Sequence, residues 1–204
     1  MARIVLFLSV VVGLFSPAAL AAESKTLLVF GDSLSAGYGM TLRQAWPNLL
    51  QNRLGNNWRV VNASQSGETT AGGLTRLGAT LKQHKPTIVL LELGANDGLR
   101  GLPVDAARKN LAAMIEQSQA IGARVALIGV QLPPNFGGPY TTKFAAMYGE
   151  LARQYKLPPP PFLLEGIADK PALFQADQLH PIPAAQPQLL DNIWPALQQL
   201  QVPS

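Results

Sequence analysis

Four apolar runs divide the chain, and each gives way at once to a glycine-rich or polar stretch. They are Leu27-Leu28-Val29-Phe30 before Gly31-Asp32-Ser33, Trp58 to Ala63, Thr87 to Leu93, and Arg124 to Val130. Their apolar residues fall at successive rather than alternating positions, the pattern of strands buried on both faces of a parallel sheet. Phe162-Leu163-Leu164 adds a short fifth strand. Between the runs the spacing becomes helical. Thr41 to Leu54 carries Leu42, Ala45, Trp46, Leu49 and Leu50, with Pro47 either interrupting the helix or lying in its first turn. Leu74 to Lys82 reads as a helix closed by Gln83-His84-Lys85-Pro86. Asp105 to Ala120 is the clearest helix, with Val104, Leu111, Met114 and Ile115 on one side and Arg108, Lys109, Glu116 and Gln117 polar. A further helix runs through Arg153, and a last one over Ala184 to Leu200 has breaks at Pro187 and Pro195. Pro158 to Pro161 must be extended, because each proline fixes φ and bars its predecessor from the helical region.

Strands that alternate with helices predict βαβ units, hence an α/β fold with a mainly parallel sheet and helices on both faces. Right-handed crossovers then put every strand-end loop on one edge, where such sheets bind ligands. Ser33, Gly67 and Asn96 each occupy the loop after a different strand, so they can converge.

The first residues stand apart from this pattern. Arg3, the apolar run Ile4 to Phe15, and Ala19-Leu20-Ala21 have the form of a secretory signal peptide spanning residues 1–21, which leaves a single domain over 22–204. The run is short for a membrane span, so a retained anchor is the weaker reading. The expected location is the periplasm or beyond it. Loss of Arg3 takes the net charge from +4 to +3, with 15 basic residues left against 12 acidic. The charges are scattered, which argues against a nucleic-acid partner. The chain has no cysteine, which excludes disulfides, thiol catalysis, Cys-based zinc sites and a lipoprotein anchor.

A serine hydroxyl needs a base to become a nucleophile, and histidine is the usual one. Only two histidines are available. His84 stands among lysines at a helix end on the edge away from the strand-end loops. His180 follows Asp177 by three residues, close enough for the carboxylate to hold Nδ1 and leave Nε2 free. Gly67 offers a backbone N–H that a ligand can approach, and Asn96 a side-chain amide, as donors to an oxyanion. Each of these residues also has an ordinary reading as turn or capping material.

Gly31-Asp32-Ser33-Leu34, then Gly67, then Gly94-Ala95-Asn96-Asp97, then Asp177-Gln178-Leu179-His180 resemble, in order, the four blocks of the SGNH (GDSL) hydrolases. With flanks such as Asn96 to Gly101 and Gln131 to Asn135, the chain is similar to their bacterial periplasmic thioesterase I, arylesterase and lysophospholipase branch. The resemblance implies a flavodoxin-like three-layer α/β/α sandwich with five parallel strands. It implies Ser33 as nucleophile, His180 as general base and acid, Asp177 as its orienter, and an oxyanion hole of Ser33 N–H, Gly67 N–H and the Asn96 amide. The activity implied is hydrolysis of esters and acyl thioesters through an acyl-enzyme, by a monomer without cofactor or metal. The expected partner is a small-molecule acyl substrate, with no stable membrane anchor after leader removal. The acyl groove is expected along the Gly98 to Val104 and Leu132 to Tyr140 loops, with Gly98, Leu99, Leu102, Pro103, Pro134 and Phe136 as contacts. Asp32, Asp97 and Glu92 are expected to brace loops. A carbohydrate acetylesterase and a non-catalytic lipid-binding protein are the alternatives. One departure stands out: Gln178 replaces the glycine usual after the catalytic Asp, which strains the loop if that position needs positive φ.

Overall fold

The computed structural model describes residues 25–202, so the expected signal peptide, 1–21, lies outside the described residues. Four parallel strands form one sheet: β1 Lys25–Gly31, β2 Trp58–Asn62, β3 Ile88–Glu92 and β4 Arg124–Leu127. Their order is β2-β1-β3-β4. Leu27 pairs with Val60 on one side and with Ile88 on the other, which places β1 at the centre of the register.

Burial explains the unbroken apolar runs. On β1, Leu28 and Phe30 face a core shared with helices α3 Thr70–His84, α5 Val104–Ala120 and α6 Gly138–Tyr155. Leu27 and Val29 face the opposite core, against α2 Trp46–Leu54 and α7 Gln186–Gln199. Val89 and Leu91 of β3 divide from Ile88 and Leu90 in the same way. Each leucine withdrawn from water contributes roughly 2 kcal/mol. The result is the three-layer α/β/α sandwich. Among the described residues no helix is long and apolar enough to cross a membrane.

The expected fifth strand is not formed. Its place is marked by a single parallel bridge between Gly129 and Phe162, with Gly129 N–H donating to the Pro161 carbonyl at 2.8 Å. Pro158 to Pro161 have no N–H groups to carry a ladder into Phe162, and the chain turns directly after it, with Glu165 N–H donating to the Phe162 carbonyl at 3.2 Å, so the single bridge is all that forms. Other prolines act at helix starts. The segment expected as one helix from Thr41 begins as a 3₁₀ turn, Leu42–Gln44, passes through extended Ala45, and restarts as α2 with Pro47 in its first turn. Pro187 lies in the first turn of α7, whereas Pro195 sits inside it and the helix continues. The carbonyl that Pro195 leaves unbonded belongs to Asp191, an exposed residue that water can reach.

From β1 the chain crosses to β2 on one side, then returns to β3 on the other, so the loops after β1 and β3 diverge. That divergence opens a crevice at the carboxyl ends of the central strands. Short helices α1 Ser33–Ala36 and α4 Ala95–Leu99 begin at this crevice.

Ala45 has no side chain to cap α2, and the Trp46 N–H donates instead to Oε1 of buried Gln186, 140 residues away, at 3.0 Å. Gln186→Leu keeps the volume and removes the acceptor, which orphans a buried N–H. Urea unfolding is expected to show a loss of about 2 kcal/mol; an unchanged midpoint would contradict this account of how α2 is held.

Candidate active site

The turn after β1 is held from below. Asp32 Oδ1 accepts the Leu34 N–H at 3.0 Å and caps α1, while its own N–H donates to Glu92 Oε2 at 3.3 Å. Ser35 Oγ donates to the same Glu92 oxygen at 2.6 Å, and Asn62 Nδ2 donates to the Ser35 carbonyl at 2.8 Å. Gly31 is required by close approach: a Cβ there would lie 2.5 Å from Glu92 Oε2 and 2.8 Å from its carbonyl. With the residues on either side of it tied down, Ser33 presents its Oγ at the crevice.

His180 Nε2 lies 2.9 Å from Ser33 Oγ, and its Nδ1 lies 2.8 Å from Asp177 Oδ2. The other Asp177 oxygen accepts the N–H groups of Leu179 at 2.9 Å and His180 at 3.0 Å. Gln178 adopts φ 55°, so the left-handed conformation that usually favours glycine is present, and the Asp177–His180 contact is nonetheless short. The glutamine side chain closes on its own loop, with Nε2 donating to the Gln175 carbonyl at 3.1 Å. The hydrogen bond from the His180 ring, followed by those from the His180 and Leu179 N–H groups, holds the Asp177 carboxyl down at about 2. A lowered pKa means that this support is full above the ordinary carboxylate range and is lost as pH falls towards 2.

Asn96, at the start of α4, donates through Nδ2 to Asp32 Oδ2 at 3.2 Å, which orients the amide and leaves its second hydrogen for a ligand. Gly67 has φ 78°, and a Cβ there would come no closer than 4.0 Å to Arg100 Nη2, so conformation rather than crowding selects glycine there. Arg100 Nη2 donates to the Gly67 carbonyl at 3.1 Å, and Glu68 N–H donates to the Gln65 carbonyl at 3.2 Å, which closes the turn around Gly67. Among the described residues neither Ser33 N–H nor Gly67 N–H has a protein acceptor. Asp97 points away and accepts Thr70 N–H at 2.8 Å and Thr70 Oγ1 at 2.6 Å, bracing α3 against α4.

Two carboxyls lie under the site, both buried. Burial is the main cause that raises Asp32 to about 6, opposed by the Leu34 N–H and the Asn96 amide. Burial, then the Asp32 charge, pushes Glu92 well up, and its Oε1 has no partner among the described residues. Burial and the neighbouring Asp32 charge thus favour the neutral form of Glu92, and Asp32 is the more readily ionised of the two. Among the described residues no group of three or more His, Cys, Asp or Glu side chains is placed to hold a metal ion.

Ser33, Gly67, Asn96 and His180 line one cavity of about 500 Å³. Leu99, Leu132, Pro133, Phe162, Leu164 and Phe174 supply apolar lining. Of the residues expected as acyl contacts, Leu99 lines the cavity, whereas Gly98, Leu102, Pro103 and Phe136 do not. Gly98 packs against Leu132, whose Cδ2 a Cβ would meet at 2.4 Å. Leu102 lies beyond the positive-φ turn at Gly101 and faces outward, its carbonyl accepting from Tyr140 Oη at 2.7 Å. The Pro134 side chain lies outside what is described. His84 closes α3 at the amino-terminal side of β3, away from the cavity. Sequence reasoning missed Tyr38, Phe162 and Phe174. The apolar residues after the tetraproline were the available signal for Phe162, and Tyr38 had only its place between Gly37 and Gly39, shortly after the turn that carries Ser33.

Residues 29–186 match the GDSL-like Lipase/Acylhydrolase family. The chain is 50% identical over 182 residues to "Esterase TesA" of Pseudomonas aeruginosa, covering 88% of this chain and 90% of that protein. It is 44% identical over 180 residues to "Thioesterase 1/protease 1/lysophospholipase L1" of Escherichia coli K12, covering 88% and 86%. Among solved structures, the psychrotrophic esterase EstA from a Pseudoalteromonas species, inhibited by monoethylphosphonate, superposes with a TM-score of 0.81 at 39% identity, over 87% of this chain and 99% of that one.

Asp32→Asn tests the buried charge. A carboxyl raised in the folded state favours folding below its unfolded value and loses that advantage as pH climbs to about 6. The stability of the variant relative to the parent, from urea unfolding, is therefore expected to rise between pH 4 and about 6 and then level off. A difference that stays flat across that window would overturn the assignment.

Proposed function

The chain belongs to the GDSL-like Lipase/Acylhydrolase family and hydrolyses esters, and from that premise we propose that it does so with Ser33 as nucleophile, His180 as general base and acid, and Asp177 as the group that orients His180. The observation that carries this reading is the unbroken line Asp177–His180–Ser33, with contacts of 2.8 and 2.9 Å, whose Ser33 and His180 line an apolar cavity. As Ser33 Oγ attacks the carbonyl carbon, its proton passes to His180 Nε2. The oxyanion that forms is received by Ser33 N–H, Gly67 N–H and the free Asn96 amide hydrogen, all preorganised by the contacts below them. His180 returns the proton to the departing alkoxide or thiolate, which leaves Ser33 acylated. Water then gives a proton to His180 and attacks the acyl carbon, and Ser33 leaves with that proton restored.

The substrate class we propose is esters and thioesters of a straight acyl chain: aryl esters, acyl-CoA-like thioesters and lysophospholipids. Leu99, Leu132, Phe162 and Phe174 offer hydrocarbon contact beyond the reacting centre, and the cavity is far larger than an acetyl group needs. The reading includes export by the leader read at residues 1–21 and action as a monomer.

The test is hydrolysis of p-nitrophenyl esters from acetate to decanoate, with labelling by a fluorophosphonate. Ser33→Ala and His180→Ala are expected to lose at least roughly 10³-fold in kcat, and Asn96→Ala about 10²–10³-fold. Labelling is expected to vanish in Ser33→Ala, and kcat/KM to rise beyond acetate. A folded parent that neither hydrolyses nor labels would sink the proposal, and activity falling away beyond acetate would point to a sugar acetylesterase instead.

A further inference from the structure

His180 is borne by a loop rather than by the sheet. Residues Phe174 to Pro181 close on themselves through one antiparallel bridge, and Gln175 N–H donates to the His180 carbonyl at 2.8 Å. Those bonds shape the loop, but they do not tie it to Ser33. The tie comes from one amide. Gln175 Nε2 donates to the Tyr38 carbonyl at 2.8 Å and to the Pro181 carbonyl at 3.2 Å, so its two hydrogens join the chain leaving α1 to the residue that follows His180. Gly39 makes room for it: with φ 71°, a Cβ there would lie 2.1 Å from Gln175 Oε1. The same tie sets the half-exposed Tyr38 ring against His180, with centroids 4.3 Å apart and planes at 34°.

We infer that Gln175 and Tyr38 form a clasp that holds the His180 ring at Ser33, which makes both of them positioning residues for the proton transfer. The inference rests on the Ser33–His180 reading above and deepens it. Two physical consequences follow. The loop cannot drift from the nucleophile without breaking the Gln175–Tyr38 bond, and small misplacements of a base are costly in rate. The Tyr38 face also meets the imidazolium formed when His180 takes the serine proton, an arrangement that an aromatic quadrupole favours. Phenylalanine at position 38 would keep that face, whereas leucine would not.

The test uses the whole mature protein with Gln175→Ala, Tyr38→Leu and Tyr38→Phe. Three quantities are read: the rate of phosphonylation by the fluorophosphonate, kcat and KM for p-nitrophenyl butyrate, and the ring-proton shifts of His180 by NMR. Only two histidines contribute to those spectra, and His84→Gln assigns them. Gln175→Ala is expected to slow labelling and kcat about tenfold, with KM within about twofold, because the base is displaced while the cavity is intact. Its His180 signals lose the ring-current shift although Tyr38 is present. Tyr38→Leu repeats the kinetic loss, and Tyr38→Phe keeps the parent's ring shift. A Gln175→Ala protein that labels at the parent rate, changes only KM, or keeps the parent's ring shift would overturn the clasp. The NMR arm needs no turnover: a parent that neither labels nor hydrolyses overturns the functional reading, and the ring shift still decides the clasp on its own.

Discussion

Ser33 and His180 are 147 residues apart in sequence and 2.9 Å apart in space, and the rest of the structure depends on that hydrogen bond. One partner stands at the end of the central strand, where burial on both faces leaves the backbone little freedom. The other comes from a loop just before the last helix. Holding a loop residue to a sheet residue within a few tenths of an ångström requires ties on both sides. On the Ser33 side these are the Asp32 and Glu92 carboxyls, and on the His180 side the Asp177 carboxylate orients the ring while Gln175 bonds the loop to the Tyr38 carbonyl.

The two sides meet the same need with opposite electrostatics. Asp177 is partly exposed and ionised, and its donors hold it down at about 2, so it supports the loop across the neutral range. Asp32 and Glu92 are buried and raised, which means they weaken the fold as pH climbs and the charge is forced inward. That cost accompanies a benefit. An acceptor at Asp32 is what turns the Asn96 amide towards the cavity, and a carboxyl at Glu92 gathers the Asp32 N–H and the Ser35 hydroxyl. Buried polar groups of this kind are destabilising where they sit and orienting where they act.

Much of this was legible in the chain. Runs such as Leu27 to Phe30 and Ile88 to Leu91 are apolar at every position because both faces of those strands are covered. The strand-end logic brought Ser33, Gly67 and Asn96 to one edge, and the spacing of Asp177 and His180 matched a carboxylate folding back on a ring. What escaped was either non-local or a matter of backbone chemistry. The fifth strand failed because the prolines before Phe162 cannot donate and the chain turns directly after it, although its apolar pattern looked adequate. Pro187, expected as a break, proved to be a helix start, and Pro195 is tolerated inside α7. Tyr38 and Gln175 carry no motif: their meeting spans 137 residues and depends on Gly39 lacking a Cβ. Leu102 and Phe136 have the right chemistry for an acyl wall, yet they lie outside the cavity that Phe162 and Phe174 enter.

The most direct test of the central claim is a crystal structure of the mature protein after reaction with a short alkyl fluorophosphonate. The account predicts a covalent bond from phosphorus to Ser33 Oγ, with the phosphonyl oxygen within hydrogen-bond reach of Ser33 N–H, Gly67 N–H and Asn96 Nδ2 together. The alkyl group would lie between Leu132 and Phe162. An adduct on another residue, or a phosphonyl oxygen turned away from Gly67 and Asn96, would contradict it.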